Sequence, residues 1–413
     1  MKKKALYTTP EEVRALLRSC WPEETFALDN DVIASGGQAD VYRLHSKNGL
    51  EALKIINSGI YSDQNIRLDR KRRAEQEVFY TTKHSGKPFS VLVYGTGTMQ
   101  NGPDESFSLR AIRMELLTPL ETYLDSFRHD RAQYIRQVLF LMEQAADALE
   151  QLRQCATLHK DIKENNLMVR QCGSEPKLVL SDYGLARPDR IMNSADIISA
   201  SGTDQYTAPE LLYGRKIIEN RSDVFALGVA FFHLVYGGNV RFDPVAYAVD
   251  WKKYNISSGI SKVILKMTQR APAKRCSSAQ AVAELHRLRL KADPELHRRE
   301  IRSTLQAITT NTTQTPSLLA RLPDDSAACL LRASAALHKG NTALARQELT
   351  HGTNQHSAAA AYYLAGLTTS PHTQHRLLQF AAAQGFKPAQ ATLRHCPISR
   401  DCCLNALKAA LDL

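Results

Sequence analysis

The stretch LHKDIKENNLMV, residues 158–169, places a His, an Asp, two Lys and two Asn between apolar residues at either end. A surface turn would account for so much charge. A catalytic loop would account for it too, with one residue handling a proton and another holding a metal ion. The choice between the two depends on what the rest of the chain places around this stretch.

The composition is that of a globular protein large enough for two domains: 413 residues, of which 43% are hydrophobic and 23% charged. The net charge of +11 would suit an anionic partner, but Lys and Arg are scattered rather than gathered into long runs. The longest apolar run, at 224–238, is too short and too interrupted to span a bilayer. We therefore expect a soluble, cytoplasmic protein that binds neither nucleic acid nor membrane.

The eight cysteines form no CxxC pair, which favours reduced thiols in a cytosolic protein. His395, Cys396, Cys402 and Cys403 lie close together in the sequence, but their spacing matches no common zinc site. The N-terminal MKKK is followed by ALYTTPEEVRALL, where a signal peptide would need an apolar core.

Two changes of pattern along the chain predict its organisation. Short alternating or apolar runs at 28–120 predict antiparallel strands, interrupted by a charged helix at 66–84, and long helical patterns follow from Tyr134. A Thr-rich stretch at 303–317 indicates a loose connection, after which strand signals vanish. The predicted domains are a helical extension at 1–25, an α+β domain at 26–291, a linker at 292–317 and an all-α domain at 318–413.

Small residues and one lysine in the β-rich half point to phosphate binding. IASGGQADVY, residues 33–42, reads as two strands joined by a turn whose backbone N–H groups could approach phosphate oxygens; a plain hairpin is the alternative. Lys54 lies in an apolar strand, where a lone ammonium is costly unless it is paired. Glu75, in step with Val78 and Phe79, is the predicted partner, unless Lys54 is an ordinary exposed charge.

Taken together, these motifs resemble the eukaryotic-like Ser/Thr protein kinase family in both order and spacing. Each one alone is weak, but they are collinear across residues 28–290. In chain order they are Gly36 and Gly37, Lys54, Glu75, HKDIKENN, SDYG, GTDQYTAPE, RSDVFALGV and RAPAKRCS. The resemblance implies a two-lobed α+β kinase fold, followed by the all-α domain.

The resemblance also implies a catalytic set that uses ATP and Mg²⁺. Lys54 would hold the α- and β-phosphates, positioned by Glu75. Asp161 would accept the proton of the substrate hydroxyl, and Asn166 and Asp182 would hold magnesium. Independently of the family, phosphoryl transfer needs cations on the phosphates, carboxylates on the metal and one acceptor near the hydroxyl. HKDIKENN is accordingly interpreted as a catalytic loop.

Further positions follow from the same resemblance. Lys163 would steady the γ-phosphate, and together with Thr203 it favours Ser/Thr over Tyr substrates. Met114 falls at the gatekeeper position, and the hinge at 115–117 would meet adenine. The residues assigned to the ATP site are Ile33, Gly36, Gly37, Val41, Ala52, Lys54, Met114, Glu115 and Leu117.

Architectural roles are implied for four residues. Glu210 and Arg275 would form a buried ion pair that anchors the activation segment. Asp223 would bind the backbone of the catalytic loop, and the ring of His159 would pack beside Tyr183.

Four positions depart from the family pattern, of which Tyr183 in place of Phe is a common, benign variation. Ala34 and Ala39 replace two of the three glycines of the phosphate-binding loop, and Lys160 replaces an Arg that in many members binds a phosphate on the activation loop. The leading hypothesis is a Ser/Thr protein kinase acting on proteins. The alternative is a pseudokinase scaffold that acts through protein binding.

The C-terminal region is predicted to form paired helices. AAAQGFKPAQATL (Ala381–Leu393) resembles one unit of the Sel1-like or tetratricopeptide repeat families, and Ala336–Leu349 resembles a second, poorer unit. A plain helical bundle is the alternative. Repeats of this kind present a concave face to peptides or proteins, so this region would serve partner docking.

Overall fold

The computed structural model describes residues 7–36, 39–57, 64–101, 107–173, 175–188, 205–212, 220–237, 242, 258–310 and 313–393. The chain divides into two compact units, Met1–Leu285 and His286–Leu413. The first contains a β-rich lobe followed by a helical lobe, and the second is helical, so the predicted fold class is confirmed.

A five-stranded antiparallel sheet forms the N-terminal lobe, with strand order β1-β2-β3-β5-β4. Its strands are β1 (Ala27–Gly36), β2 (Ala39–Ser46), β3 (Gly49–Asn57), β4 (Val93–Asn101) and β5 (Phe107–Glu115). The register places Lys54 of β3 between Val41 of β2 and Ile112 of β5. Lys54 is therefore fixed by neighbours on both sides of its strand.

Helix α1 (Pro10–Cys20) precedes this sheet and packs on it. Thr9 and Glu12 form a capping box that satisfies backbone N–H groups at the start of the helix. The buried residues of the helix join an apolar cluster with side chains of β1, β2, β3 and β5. They are Val13, Leu16 and Leu17. The predicted N-terminal helix is confirmed, and it belongs to the first unit.

The end of α1 lies against two glycines of β4. A Cβ atom at Gly97 would come within 2.7 Å of Sγ of Cys20, and one at Gly95 would lie 3.2 Å from Nε1 of Trp21. Any side chain at Gly97 would therefore force the side chains of Cys20 and Trp21 at the end of α1 to move.

Helix α2 (Gln64–His84) packs on the sheet through one face. The residues buried on this face follow a spacing of three and four, as expected for one side of a helix. They are Ala74, Glu77, Tyr80, Thr81 and His84. Phe79, expected from the sequence to face inward, is 59% exposed.

The helical lobe is built around one buried helix. The helices described in it are α3 (Leu120–Asp125), α4 (Arg131–Gln154), α5 (Pro209–Leu212), α6 (Arg221–Tyr236), α7 (Ser258–Met267) and the first half of α8 (Ser278–Ala292), which continues past Leu285 into the second unit. Every residue of α6 from 222 to 235 is buried. Short strands lie beside the helices: β6 (Thr118–Pro119), β8 (Leu167–Cys172) and β9 (Glu175–Leu180) form one sheet, and β7 (Thr157–Leu158) pairs with β10 (Arg187–Pro188).

The second unit consists of helices that pack on their neighbours in sequence. They are α9 (Pro294–Thr309), α10 (Thr315–Arg321), α11 (Ser326–His338), α12 (Thr342–Asn354), α13 (Ala358–Leu367), α14 (Pro371–Ala383) and α15 (Lys387–Leu393). Its core is made largely of Ala and Leu, with Tyr362 and Tyr363. The helical prediction for this region is confirmed, whereas its assignment to a repeat family stays a prediction.

Three connections in this unit share one geometry. In each, the second residue after the helix has a positive φ angle: 72° at Gly340, 63° at His356 and 81° at Gly385. The next residue then donates its N–H to a carbonyl five residues earlier, as in a Schellman motif. These bonds are Asn341 to Ala336 at 2.9 Å, Ser357 to Gly352 at 3.0 Å and Phe386 to Ala381 at 3.1 Å.

The linker predicted at 292–317 is wrong. Most of this stretch is helix α9, and its Ile301, Leu305 and Ile308 are buried in the core of the second unit. Their spacing of four and three is a helical period, which the many Thr residues obscured. The division between units falls after Leu285 rather than at residue 291.

Two remaining expectations concern thiols and membranes. Among the cysteines whose side chains are described, Cys20, Cys155, Cys276 and Cys329 carry free thiols. The group at 395–403 lies outside the described residues. Within the described ranges, no helix combines the length and apolarity needed to cross a bilayer.

Candidate active site

Lys54 of β3 has two acidic partners in the cleft between the lobes. Its ammonium contacts the carboxylate of Glu77 on α2 and lies 3.4 Å from Oδ1 of Asp182. Only 12% of the Lys54 side chain and 10% of the Glu77 side chain are exposed. A buried ammonium is costly unless opposite charges compensate it, and here two carboxylates do so.

The choice of Glu75 as the partner of Lys54 is wrong. Its Oε1 lies 2.7 Å from Nη2 of Arg110 on β5, and about half of its side chain is exposed. Two residues along a helix turn the side chain by about 200°, so Glu75 and Glu77 lie on opposite faces of α2. Glu77 lies on the buried face of α2, three positions after the buried Ala74. This helical spacing from Ala74 is the signal in the sequence that identifies Glu77 as the inward-facing acid.

The charged stretch of residues 158–169 forms a tight loop around Asp161. Nζ of Lys163 donates to both carboxylate oxygens of Asp161, at 3.0 and 2.8 Å. A 3₁₀ turn, Glu164–Asn166, brings Asn166 back so that its Nδ2 donates to Oδ2 of Asp161 at 2.9 Å. The three residues predicted from the sequence, Asp161, Lys163 and Asn166, are thus in contact within a span of five positions.

The backbone of this loop is held by Asp223 of the buried helix α6. Its carboxylate accepts the N–H groups of His159 and Lys160, each at 2.8 Å. Lys160 has a φ angle of 66°, a strained conformation for a residue with a side chain. The predicted role of Asp223 is confirmed, and its two hydrogen bonds hold the strained backbone next to Asp161.

Asp182 also has a positive φ angle, 65°, and is followed by a buried tyrosine. The ring centroid of Tyr183 lies 4.9 Å from that of His159 and 5.6 Å from that of His84. Its hydroxyl bonds to Oγ of Ser90 at 3.1 Å. The predicted packing of His159 beside Tyr183 is confirmed, and this packing fixes the chain next to Asp182.

A family model, described as a protein kinase domain, matches residues 29–286, more than half of the chain. The chain belongs to the protein kinase family. The match coincides with the lobes that carry Lys54, Asp161 and Asp182, so the family assignment and the geometry concern the same residues.

Curated proteins similar to this kinase domain include bacterial serine/threonine-protein kinases. PknB of Mycobacterium leprae is 26% identical over 290 residues, which cover 64% of this chain and 43% of that protein. PrkC of Bacillus subtilis is 25% identical over 264 residues, which cover 60% and 38%. PknK of Mycobacterium tuberculosis is 28% identical over 267 residues, which cover 61% and 22%. The chain thus spans less than half the length of each of these relatives.

Most of the residues predicted to bind nucleotide lie on strands β1, β2, β3 and β5 of the N-terminal lobe. Ala52 pairs with Met114, and Val41 pairs with Lys54. Of the others, Ile33 and Gly36 lie on β1, Glu115 ends β5, and Leu117 follows it. Gly37 and Thr203 lie outside the described residues. All of these nucleotide contacts stay predictions.

The hinge after β5 is anchored through the side chain of Glu115. This carboxylate accepts Nε of Arg170 at 2.7 Å and makes a second, shorter contact with its Nη2. It also accepts the backbone N–H of Leu92 at 2.7 Å. A bidentate Arg–carboxylate pair is directional, so the hinge backbone is held at one position.

The ion pair predicted at the base of the activation segment is present. Nη1 and Nη2 of Arg275 bond to the two oxygens of Glu210 at 2.6 and 2.9 Å. The Arg275 side chain is fully buried and that of Glu210 is 4% exposed. The guanidinium also stacks over Phe225, 4.9 Å from the ring centroid.

A second buried network was missed by the sequence analysis. The Tyr206 hydroxyl donates to Oε2 of Glu164 at 2.5 Å, and Nδ1 of His233 lies 3.1 Å from Oε1 of Glu164. These residues come from the segment before α5, the catalytic loop and α6. No local pattern announces the contact, because its members are 42 and 69 positions from Glu164.

The electrostatics of the cleft follow from burial and close pairing. Burial raises the pKa of Glu77 to about 7, although the Lys54 ammonium acts in the opposite direction. Burial opposes the charge of Lys54, but the carboxylates of Asp182 and Glu77 prevail and raise its pKa. The pKa of Asp182 is lowered despite burial, because Lys54 and Lys163 favour its ionised form. Near neutral pH, Lys54 and Asp182 are charged while Glu77 titrates.

Proposed function

We propose that this chain is an ATP-dependent serine/threonine protein kinase that transfers the γ-phosphate to hydroxyl groups of proteins. The observation that carries the proposal is the convergence of two clusters. Asp161 with Lys163 and Asn166 is one, and Lys54 with Glu77 and Asp182 is the other. These are the groups that phosphoryl transfer requires.

The residues fit Mg²⁺ and phosphate. Because Nδ2 of Asn166 donates to Asp161, its Oδ1 is turned away from that carboxylate and, with Asp182, offers the hard oxygen ligands that Mg²⁺ prefers. The metal, when bound, would neutralise charge on the phosphates. Lys54 would bind phosphate oxygens, and Glu77 would keep its ammonium in place.

Asp161 would take the proton from the substrate hydroxyl. Its carboxylate is oriented by Lys163 and Asn166, and the Asp223-bound backbone fixes the loop. Lys163 would neutralise charge on the group in transfer. In this proposal most of the rate enhancement would come from positioning and electrostatics.

Serine and threonine are the proposed acceptors for two reasons. The similar proteins named above carry serine/threonine-protein kinase in their names. Lys163 also stands in the catalytic loop, where Ser/Thr-specific members have it. We further propose that the chain acts in the cytoplasm, consistent with the free thiols of Cys20, Cys155, Cys276 and Cys329.

Transfer of labelled phosphate from ATP to a generic basic protein tests the proposal. Asp161→Ala should lower turnover by roughly 10²- to 10⁴-fold, because the proton acceptor is lost. Asp147→Ala, at an exposed position on α4, is the matched control and should retain full activity. Normal turnover by Asp161→Ala would refute the mechanism.

A pseudokinase scaffold is the second candidate. Ala34 and Ala39 stand where the family has glycines, and Ala39 is buried next to Ile56 and Ile112. The same labelling assay separates the candidates: a wild-type chain without phosphotransfer in the presence of Mg²⁺ would favour the scaffold.

We also propose that the helical second unit recruits protein partners. Gly352 packs so closely that an added Cβ would meet Cβ of Ala360 at 2.9 Å, so Gly352→Val should disturb this unit selectively. The Gly352→Val variant should still phosphorylate the generic substrate at about the wild-type rate. Phosphoproteomics should show that a subset of the sites lost in Asp161→Ala is also lost in Gly352→Val, because docking raises the local substrate concentration.

His375→Ala, at an exposed position of α14, is the control for that comparison. If Gly352→Val lowered phosphorylation of generic and native substrates equally, the second unit would have a structural role rather than a recruiting one.

A further inference from the structure

A buried carboxylate lies in the hairpin that is proposed to cover the ATP phosphates. Asp40 is the second residue of β2, pairs with Ser35 of β1 and is fully buried. An acid this close to a phosphate site is unfavourable for anion binding unless its charge is taken up by donors.

Those donors come mainly from the beginning of the chain. Oδ2 of Asp40 accepts the N–H of Tyr7, the N–H of Thr8 and the hydroxyl of Thr8, each at 2.9 Å. Its other oxygen accepts the hydroxyl of Ser35 from the neighbouring strand. Hydrogen bonds to an ionised acceptor are stronger than neutral ones, so this cluster binds the N-terminal segment tightly to β2.

The segment is held at further points. Nδ2 of Asn57, at the end of β3, donates to the carbonyl of Tyr7 at 2.8 Å. The Thr8 hydroxyl also lies 2.9 Å from the hydroxyl of Tyr42. Immediately afterwards the capped helix α1 begins and buries its apolar face on the same sheet. Asp40 is therefore bonded to a segment, residues 7 and 8, that runs directly into the packed helix α1.

The side of β2 that faces the nucleotide is coupled to these contacts. Successive side chains of a strand point to opposite faces, so Val41 is directed away from the face that carries Asp40. Val41 pairs with Lys54 and is assigned to the ATP site by the family resemblance. Fixing the backbone at Asp40 thus fixes the adjacent residue on the nucleotide side.

We propose that Asp40 is a positioning residue for ATP, and that the N-terminal segment holds the phosphate-binding hairpin in its binding conformation through it. This inference rests on the proposed kinase activity. Asp40 does not touch the reacting atoms; it acts through the β1–β2 hairpin.

Steady-state kinetics with ATP and peptide varied separately test this role. Asp40→Ala should raise the KM for ATP about tenfold, the size expected for losing one charge-assisted interaction, and leave the KM for peptide unchanged. Asp40→Asn keeps an acceptor oxygen, so it should restore most of the affinity for ATP. Thr8→Val removes one donor while leaving the carboxylate in place, and should raise the KM for ATP about twofold.

Arg14→Ala is the matched control, because Arg14 lies on α1 and bonds to Glu11 and Asn30 rather than to Asp40. It should leave both KM values unchanged. Binding of a fluorescent ATP analogue and thermal melting would accompany the kinetics. Thr8→Val keeps the test informative if Asp40→Ala does not fold.

Two results would overturn the inference. One is an unchanged KM for ATP in folded Asp40→Ala and Thr8→Val. The other is an equal change of both KM values that follows the loss of thermal stability, which is the signature of a structural role alone. Failure of the kinase proposal would look different, since the wild-type chain itself would then transfer no phosphate.

Discussion

The first unit buries charged side chains, whereas the described part of the second unit buries none. Residues 286–310 and 313–393 bury mainly Ala, Leu and Tyr, with His, Ser and Thr as their buried polar residues. Among the residues of the first unit that the structure describes, the buried Asp, Glu and Arg residues are Asp40, Glu51, Glu77, Arg113, Glu164, Arg187, Glu210, Asp223 and Arg275.

The difference lies in what the buried groups do. Asp223 holds a strained catalytic backbone, Glu77 holds Lys54, and Arg275 anchors the activation segment. Such pairs contribute little net stability, but removing one partner leaves a costly uncompensated charge. The described helices of the second unit bury no Asp, Glu, Lys or Arg side chain and carry no such risk. The two units should therefore respond very differently to the loss of a charge.

The largest expected effect is at the buried pair of the helical lobe. Arg275→Ala leaves Glu210 buried without its partner and should lower the free energy of unfolding by about 3–5 kcal/mol. In the second unit, Arg298→Ala breaks an exposed pair with Glu295 and should cost less than about 1 kcal/mol. Urea denaturation measures both, and similar losses would remove the contrast between the units.

A smaller effect is expected from the two acids of α2. Glu77→Gln removes the charge that holds Lys54 and should lower kcat/KM by about 10- to 100-fold, because misplaced catalytic groups lose that much. Glu75→Gln is the matched control and should stay near wild type, since the Glu75 carboxylate bonds to Arg110 and not to Lys54.

The raised pKa of Glu77 predicts how kcat/KM depends on pH. Its pKa of about 7 means that the carboxylate ionises, and its attraction for Lys54 strengthens, as pH rises through neutrality. The wild-type kcat/KM should rise over this range, and Glu77→Gln should flatten that rise. An unchanged profile in Glu77→Gln would assign it to another group.

Acid sensitivity of the first unit is expected from His84. Burial among Tyr80, Phe89 and Tyr183, with Lys87 and Lys83 nearby, lowers its pKa to about 4. The folded pKa of His84 lies below its unfolded value near 6.5. The contribution of the uncharged ring to the free energy of unfolding is therefore complete above pH 6.5 and is lost as the pH falls toward 4.

Replacing the ring tests this directly. His84→Phe should remove about 2 kcal/mol of the stability loss between pH 6.5 and 4, as measured by urea denaturation. His372→Phe, at an exposed position of the second unit, should leave the acid dependence unchanged. If both variants kept the wild-type dependence, other groups would control the acid response.

The smallest effect is expected at a turn of the second unit. His356 adopts the left-handed conformation that Gly340 and Gly385 supply in the equivalent turns. His356→Gly should relieve the strain but raise the entropy of the unfolded chain, for a net stabilisation of about 0.5 kcal/mol. Gly340→Ala should instead destabilise by about 1 kcal/mol, and thermal melting compares them.

The sequence was sufficient for residues that belong to compact motifs. Asp161, Lys163 and Asn166 lie within one loop, so their residue types and spacing already determine which side chains are in contact. Lys54 was placed in an apolar strand by the sequence pattern, whereas the role of Asp182 came from the family resemblance. Helices in the second unit were predicted by Ala and Leu periodicity.

Predictions failed where a contact depended on helix phase or on distant segments. Glu75 and Glu77 differ by two positions, and only the buried face of α2 distinguishes them. The pairing of Asp40 with residues 7 and 8 spans more than 30 positions, so no local pattern could reveal it. The false linker arose because threonines masked an apolar helical period.

The close packing of Gly95 and Gly97 of β4 against the end of α1 has a consequence for the evolution of related chains. A glycine inside a strand costs roughly 0.5–1 kcal/mol relative to alanine, so two of them are a burden unless something fills the space. Trp21 and Cys20 fill it here. In diverging descendants of this chain, the glycine pair and the N-terminal helix should be retained or lost together. A descendant with bulky residues at both positions must carry its N-terminal segment elsewhere.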